Sequence, residues 1–274
     1  MEFELGIHQL THGRGPFAGF PPPNAFLVAG RERSLLVDAG WDWADDHAER
    51  MQAIAEANVA PVDELIITHF HPDHAGGAAL FHQATGAPLS CHSLDRLVIE
   101  QDRLKERAPI AESLSGGETR DLGGLTVEVI HAPGHTPGCL ALYIPECGAL
   151  IATDTVMAMS TTVLRPGEGD LRAYADTLHR FLELGSKTIY GGHGAAIDDP
   201  AKRLRELIDH RVQRERELLA ALAEPQTVRE LRGAIYVGLP EVRHDLAEAQ
   251  LLTGLRKLIA DGAAREDDGR YALA

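Results

Sequence analysis

The sequence contains little cysteine, few aromatic residues and no long apolar run. Three cysteines in 274 residues cannot all pair within one chain, which excludes a disulfide-stapled scaffold and favours reduced thiols in a cytoplasmic protein. No stretch reaches the roughly 18 unbroken apolar residues of a transmembrane helix, so neither a membrane span nor a membrane partner is expected. The start, MEFELGIHQL, lacks a basic segment followed by an apolar one, so we expect no secretory signal peptide.

Positive charge is also scarce. Lysine and arginine number 26 against 41 acidic residues, for a net charge of −15 at pH 7. Such a chain is repelled by polyanions at long range, which disfavours nucleic acid as a partner but leaves it open. The imbalance is uneven, because residues 1–200 hold 13 basic and 28 acidic residues, whereas residues 201–274 hold 13 of each. This shift predicts two domains, 1–200 and 201–274.

Short apolar runs separated by turns dominate the first 200 residues. A predicted hairpin joins NAFLVAG to SLLVDAG, and later strands are predicted at DELIITH, LTVEVIHAPGH, CLALYIP and GALIATD. Helical spacing of apolar residues predicts helices at about 42–57, 94–107 and 170–184. Strands with helices interspersed are typical of a layered α/β fold.

The last 74 residues have a different pattern. Residues 201–223 keep apolar side chains at the 3.6-residue period of an amphipathic helix. Thr227 and Glu230 form a capping-box pattern for a second helix, DLAEAQLLTGLRKLIA predicts a third, and Asp268-Gly269 predicts a hairpin turn. This order is typical of a winged-helix-like domain. It equally fits a packing module whose apolar helix faces cover the first domain or a second subunit in a homodimer.

Metal-binding side chains cluster at predicted strand ends. HFHPDH, at residues 69–74, follows the strand LIIT directly, and glycine-rich loops after later strands carry further histidine and aspartate side chains. Zinc ligands must converge to about 2.0–2.2 Å from the ion, which loops at one edge of a sheet can achieve. The sequence therefore predicts a metal site formed by His69, His71, Asp73, His74, His135, Asp154 and His193.

The motifs THFHPDHAGG, APGHTPG, ATD and GGHG resemble, in order, the ligand motifs of the metallo-β-lactamase superfamily, over about residues 1–200. The resemblance implies a four-layer αββα sandwich with two metal ions at one edge. It also implies a role for each ligand, and Asp38, in LLVDAG, matches a family aspartate beside the site. The implied ligands are His69, His71 and His135 for the first metal and Asp73, His74 and His193 for the second, with Asp154 bridging the two.

The resemblance implies two zinc ions, with iron or manganese as alternatives. A metal-bound hydroxide then attacks a carbonyl or phosphoryl centre, and Asp73 holds the nucleophile and shuttles its proton as the catalytic residue. His210, on the long helix, is a candidate for contacting the small-molecule substrate; a packing role fits such a histidine as well.

The C-terminal part resembles the β-lactamase-like protein 2 branch of the superfamily. Hydroxyacylglutathione hydrolases share the metal motifs but end differently, with a cluster of basic and aromatic residues for glutathione, and no such cluster is evident in this chain. The first hypothesis is therefore a zinc-dependent hydrolase of a small ester, thioester or lactone. The alternatives are a single-strand endoribonuclease, a mononuclear-iron persulfide dioxygenase and a ligand-sensing winged-helix regulator.

Overall fold

The computed structural model describes residues 5–274, so the first four residues of the N-terminal segment lie outside the description. The chain forms two compact units. None of the helices among the described residues is long and apolar enough to cross a membrane. The first unit comprises residues up to Ala132, Gly138–Ser160 and Gly185–Pro200; the second comprises Pro133–Pro137, Thr161–Leu184 and Ala201–Ala274.

The first unit contains a six-stranded sheet in the order β1-β2-β3-β4-β5-β6. The first three strands pair antiparallel, and β3 to β6 pair parallel, so that the carboxyl ends of four strands share one edge. The strands are Gly6–Thr11, Asn24–Ala29, Ser34–Val37, Val62–Ile67, Leu89–His92 and Ile110–Leu114.

A second sheet has the order β11-β10-β9-β8-β7. Only the pair β10–β11 is parallel. Its strands are β7 Thr119–Asp121, β8 Thr126–His131, β9 Leu140–Ile144, β10 Ala149–Thr153 and β11 Thr188–Gly191. The helices of this unit are α1 Ala44–Glu56, α2 Pro72–Ala75, α3 Ala78–Thr85 and α4 Ser93–Val98, which continues as a π-helix over Ile99–Leu104.

The strands of the larger sheet are buried on both faces. Because side chains alternate along a strand, Ala25 and Leu27 of β2 pack in the core beneath the helices, whereas Phe26 and Val28 pack between the two sheets. Burial on both faces explains why β2 is apolar at every position after Asn24 rather than at alternating ones.

The second unit contains helices and a hairpin in the predicted order. The elements are α5 Leu171–Leu184, α6 Pro200–Ala221, α7 Val228–Ile235, a 3₁₀ turn Glu241–Arg243, α8 His244–Ala260, β12 Ala264–Asp267 and β13 Arg270–Leu273. Both halves of the capping box between Thr227 and Glu230 are formed. Leucines of α6, α7 and α8 share one core with Tyr271 of the hairpin.

The division of the chain differs from a single boundary at residue 200. Segments 133–137 and 161–184 group with residues 201–274. The contacts explain why: Thr253 Oγ1 donates to Leu164 O at 2.8 Å, and Arg172 forms an ion pair with Asp261. Charge content shifts at residue 200, but α5 packs with helices that follow it in sequence.

Candidate metal centre

Four loops that follow β-strands carry the candidate side chains of the first unit. Asp38 follows β3, residues 69–74 follow β4, Asp154 follows β10 and His193 follows β11. The helix α2 begins with Pro72 at its first position, where proline's fixed φ favours a helical start. The turn places Asp73 and His74 in the buried interior.

Asp154 lies between two histidines. Its Oδ1 is 3.2 Å from His74 Nε2, and its Oδ2 is 4.0 Å from His69 Nε2. Ligand atoms of His69, His71 and Asp154 lie within 4.8 Å of one another. One carboxylate therefore faces two groups of imidazoles, with one oxygen toward each.

Asp73, His74 and His193 form the second group, again with ligand atoms within 4.8 Å of one another. Asp73 Oδ2 lies 3.4 Å from His193 Nε2, and Asp154 Oδ1 lies 3.7 Å from the same nitrogen. The two groups thus meet at Asp154, which is 8% exposed.

Partners behind the rings fix which nitrogen faces the site. His193 Nδ1 lies 2.9 Å from Pro21 O and 3.1 Å from Pro22 O. Because carbonyl oxygens only accept hydrogen bonds, Nδ1 carries the proton and Nε2 keeps a lone pair. His69 Nδ1 likewise has a partner behind it, Thr68 Oγ1 at 3.1 Å. Such partners orient metal-binding histidines.

Asp38 supports the site from behind and is fully buried. Its Oδ1 accepts from Thr68 N and its Oδ2 from Thr68 Oγ1, both at 2.8 Å. Oδ2 is also 2.8 Å from His74 Nδ1. Asp38 has a φ of 61°, and Thr153, beside Asp154, has a φ of 41°. A left-handed backbone is uncommon for such residues, and strain of this kind concentrates at functional sites.

The electrostatics of the site favour a cation. Burial alone would lower the pKa of His74, but the carboxylates of Asp154, Asp73 and Asp38 raise this pKa well above its usual value. Burial would raise the pKa of Asp73, but the charge of His74 and the neighbouring His193 imidazole lower it overall. Three buried carboxylates therefore converge where positive charge is stabilised.

Two observations test whether these residues fit a metal ion. His74 Nε2 is buried and has no partner with the geometry of a hydrogen bond. The atoms near it are side-chain oxygens and nitrogens that can act as metal ligands. A Cβ on Gly192 would lie 1.9 Å from Asp154 Oδ1 and 3.0 Å from His74 Cε1. The glycine lets the backbone approach the carboxylate closely. Imidazole and carboxylate are the donors that zinc takes in proteins, so the residues fit such an ion.

His135 lies on Pro133–Pro137, within the second unit. There its Nδ1 is 2.9 Å from Val163 O, which again leaves Nε2 with a lone pair. The chain then enters β9, where Leu140 N donates to Thr68 O at 2.9 Å. The strand that follows the His135 loop thus begins beside the residue before His69.

His210 lies on α6, in the second unit, and is half-buried. Burial and the charges of Arg211 and Arg214 lower the pKa of its imidazole. Its Nε2 is 3.5 Å from Arg214 Nε, and its Nδ1 is buried without a hydrogen bond. The structure gives it basic neighbours on its own helix.

One buried carboxylate near the metal loops was missed by sequence reasoning. Asp95 accepts hydrogen bonds from Phe70 N and Gly138 N. Phe70 stands between two candidate ligands, but Asp95 itself lies in an ordinary helical stretch with many charges, and no motif marks it.

The chain is similar to known proteins of one superfamily. Residues 18–193 match the metallo-beta-lactamase superfamily. A Caenorhabditis elegans protein named beta-lactamase-like protein 2 homolog is 28% identical over 92% of this chain and 83% of its own length. A hydroxyacylglutathione hydrolase of Hyphomonas neptunium is 31% identical over 74% of this chain and 77% of its own.

The fold has solved counterparts. The crystal structure of a metallo-beta-lactamase family protein from Thermus thermophilus superposes with a TM-score of 0.82 at 25% identity, covering 98% of this chain and 99% of that one. The predicted α/β fold class is confirmed by the two sheets with their helices and by this likeness.

Proposed function

Because the chain belongs to the metallo-β-lactamase superfamily, with more than half its length matched, we propose that it is a dinuclear zinc hydrolase of a small ester, thioester or lactone. His69, His71 and His135 hold one ion, and the second ion takes a different set. That second set is Asp73, His74 and His193, with Asp154 shared between the two ions.

The observation that carries this proposal is the position of Asp154. Its two oxygens face His74 Nε2 and His69 Nε2 at 3.2 and 4.0 Å, so this one carboxylate would be within reach of an ion held by either group. A single-metal site would need only one of the two groups that converge on it. The presence of both groups therefore favours two ions over one.

When bound, the metal ions supply a nucleophilic water at neutral pH, because they lower its pKa from 15.7 to about 7, together with positive charge opposite the developing oxyanion. The protein holds the ligands in place from behind, through Asp38 for His74 and through the Pro21 and Pro22 carbonyls for His193. Asp73, whose pKa is lowered overall despite its burial, stays a carboxylate and accepts a proton at Oδ2.

Acyl substrates are supported over phosphodiesters. The Hyphomonas neptunium relative is named for an acylglutathione, which is a thioester. The net charge of −15 opposes a polyanionic substrate such as RNA. The three cysteines, two of them buried, are thiols that form no disulfide in the described chain, which suits a reducing compartment such as the cytoplasm.

Metal analysis of the purified protein, paired with a substrate panel, tests the proposal. We expect close to two zinc ions per chain and turnover of a thioester or lactone that a chelator stops and added zinc restores. The panel includes a phosphodiester and a single-stranded RNA. One iron per chain with oxygen uptake, or RNA cleavage without acyl hydrolysis, would overturn it.

A further inference from the structure

The carboxylate of Asp95 joins two loops that flank the metal ligands. Its Oδ2 accepts from Phe70 N at 3.2 Å and its Oδ1 from Gly138 N at 2.7 Å. Phe70 separates His69 from His71 in the sequence, and Gly138 begins the part of the first unit that follows the His135 loop. With 1% of its surface exposed, Asp95 makes these bonds away from competing water.

The next peptide group along the chain, between Phe70 and His71, is held by Arg103, whose Nε donates to Phe70 O at 2.7 Å. The Phe70 N–H and C=O therefore bond to two side chains of one helical segment. Phe70 itself is buried in the core beneath the helices. The backbone of Phe70 therefore has little freedom to rotate. The backbones of His69 and His71, which are bonded to it on either side, are restrained as well.

The π-helix explains how one segment supplies both side chains. Asp95 lies on α4, and Arg103 lies eight residues later on the π-helix Ile99–Leu104. In a continuous α-helix at 3.6 residues per turn, eight residues would rotate the second side chain about 80° from the first. The wider i→i+5 turns of a π-helix reduce that rotation. Local π-helix is frequent at functional sites, and here it brings Asp95 and Arg103 to the two peptide groups on either side of Phe70.

Gly138 leaves room for the contact. A Cβ at this position would lie 2.5 Å from Asp95 Oδ1 and 2.8 Å from Asp95 N. The backbone of Gly138 is not left-handed, so glycine is required here for space rather than for conformation.

We propose that Asp95 and Arg103 are positioning residues for the metal centre, which set the spacing of the His69 and His71 imidazoles through the two peptide groups that flank Phe70. This inference rests on the proposed metal site. Asparagine at position 95 would have one oxygen and one NH2 group in place of the two oxygens. Either the Phe70 N–H or the Gly138 N–H would then face the NH2 group, itself a donor, and the loop that carries it would shift. Outer partners of this kind change metal affinity about 10–100-fold when lost.

Cobalt(II) substitution provides the test, because its visible absorption reports the geometry of the ligands directly. Asp95→Asn and Gly138→Ala act on the contact from opposite sides, and Arg103→Met removes the donor to Phe70 O. We expect all three to change the cobalt spectrum and to weaken cobalt affinity in a chelator competition, by tenfold or more for Asp95→Asn. The partly exposed Arg103 gives a variant that folds if the two buried changes do not.

Glu118→Gln is the matched control. Glu118 also accepts from two backbone N–H groups, those of Ser115 and Gly116, but these lie outside the ligand loops. We expect its cobalt spectrum to equal that of the unmodified protein even if it lowers the melting temperature. Folded Arg103→Met and Asp95→Asn proteins with unchanged spectra and affinities would overturn the inference alone. An unmodified protein that binds no cobalt would overturn the proposed function as well.

Discussion

His74 Nδ1 lies 2.8 Å from Asp38 Oδ2, and neither side chain has any solvent exposure. The other face of the ring presents Nε2 to Asp154 Oδ1. A buried carboxylate behind a histidine fixes its tautomer and raises its basicity. The two-residue pair thus orients the imidazole that lies nearest the shared carboxylate.

Asp38→Asn should weaken metal binding about 10–100-fold while the protein stays folded. The asparagine retains the shape but loses the negative charge that favours the His74 Nδ1 proton. Zinc affinity measured by chelator competition checks this expectation. Asp63→Asn makes the same chemical change at a half-exposed position, and it should bind zinc normally. Equal affinities in the two variants would contradict the role given to Asp38.

Gly192→Ala should remove metal binding by steric displacement. The new Cβ would lie 1.9 Å from Asp154 Oδ1, and the carboxylate has to leave its place between the histidines. Gly233→Ala is the control, because a Cβ there meets nothing within 4 Å, and alanine stabilises an exposed helix by about 0.5–1 kcal/mol relative to glycine. Metal content after dialysis distinguishes them. A Gly192→Ala protein with full metal content would show that metal binding does not need the close contact between the Gly192 backbone and the Asp154 carboxylate.

Much of the fold follows from apolar pattern, and the exceptions are edge strands. From Ala25 onward β2 is a continuous apolar run because both of its faces are buried, whereas β4 is apolar and buried only over its last three residues, Leu65–Ile67. β7 has three polar, largely exposed residues, and β6 is buried only at its two ends, so neither carries a periodic signal. β6 pairs with β5 across the intervening helical segment, and β7 pairs with β8 across a short turn. Each is therefore held by its neighbour and not by an apolar pattern of its own.

The candidate ligands were found because histidine and aspartate follow strand ends in short motifs. Asp95 lacked any such signal, since its partners are backbone groups of residues 25 and 43 positions away. The grouping of His135 with the second unit also depends on tertiary packing, through Val163 O. A bond to the Phe70 N–H does not depend on the type of that residue, and the glycine at position 138 does not by itself indicate which side chain it accommodates.

Asp73→Asn should lower hydrolysis by at least about 100-fold, the size of a general acid–base contribution. The amide cannot accept a proton, although it fills the same space near His193 Nε2. Circular dichroism should show an intact fold, and His71→Ala, which removes a ligand, should abolish activity too. Turnover within a few-fold of the unmodified protein in either variant would contradict the assigned roles.

Thiol reactivity should distinguish the three cysteines. Cys147 is exposed, whereas Cys91 and Cys139 are buried. Burial and the nearby charge of Asp95 raise the pKa of Cys91 to about 12, and only a thiolate reacts. A disulfide reagent at pH 8 should therefore modify one thiol per folded chain quickly and three after unfolding. The folded Cys147→Ser protein should contain no thiol that reacts quickly. Rapid modification of Cys91 in the folded protein would contradict its buried position.

His92 should make stability depend on pH. Its ring stacks on that of His131, with centroids 4.1 Å apart, and burial, followed by the charge of His131, lowers the pKa of His92. The unfolded chain, with a pKa of about 6.5, then binds a proton that the folded chain does not. The contribution of His92 is therefore present above pH 6.5 or so and is lost as pH falls through the lower folded pKa.

His92→Asn tests this linkage and keeps a side-chain acceptor for Leu94 N at the start of α4. We expect the free energy of unfolding, measured with urea at pH 5, 6 and 7, to fall less steeply toward low pH in the variant. The number of protons taken up on unfolding, which this slope gives, should be smaller by up to one. His47 and His210, whose pKa values burial also lowers, account for part of the slope that remains. Identical slopes in the two proteins would mean that His92 accepts its proton as readily folded as unfolded, and the stacked pair would then have no part in the acid sensitivity.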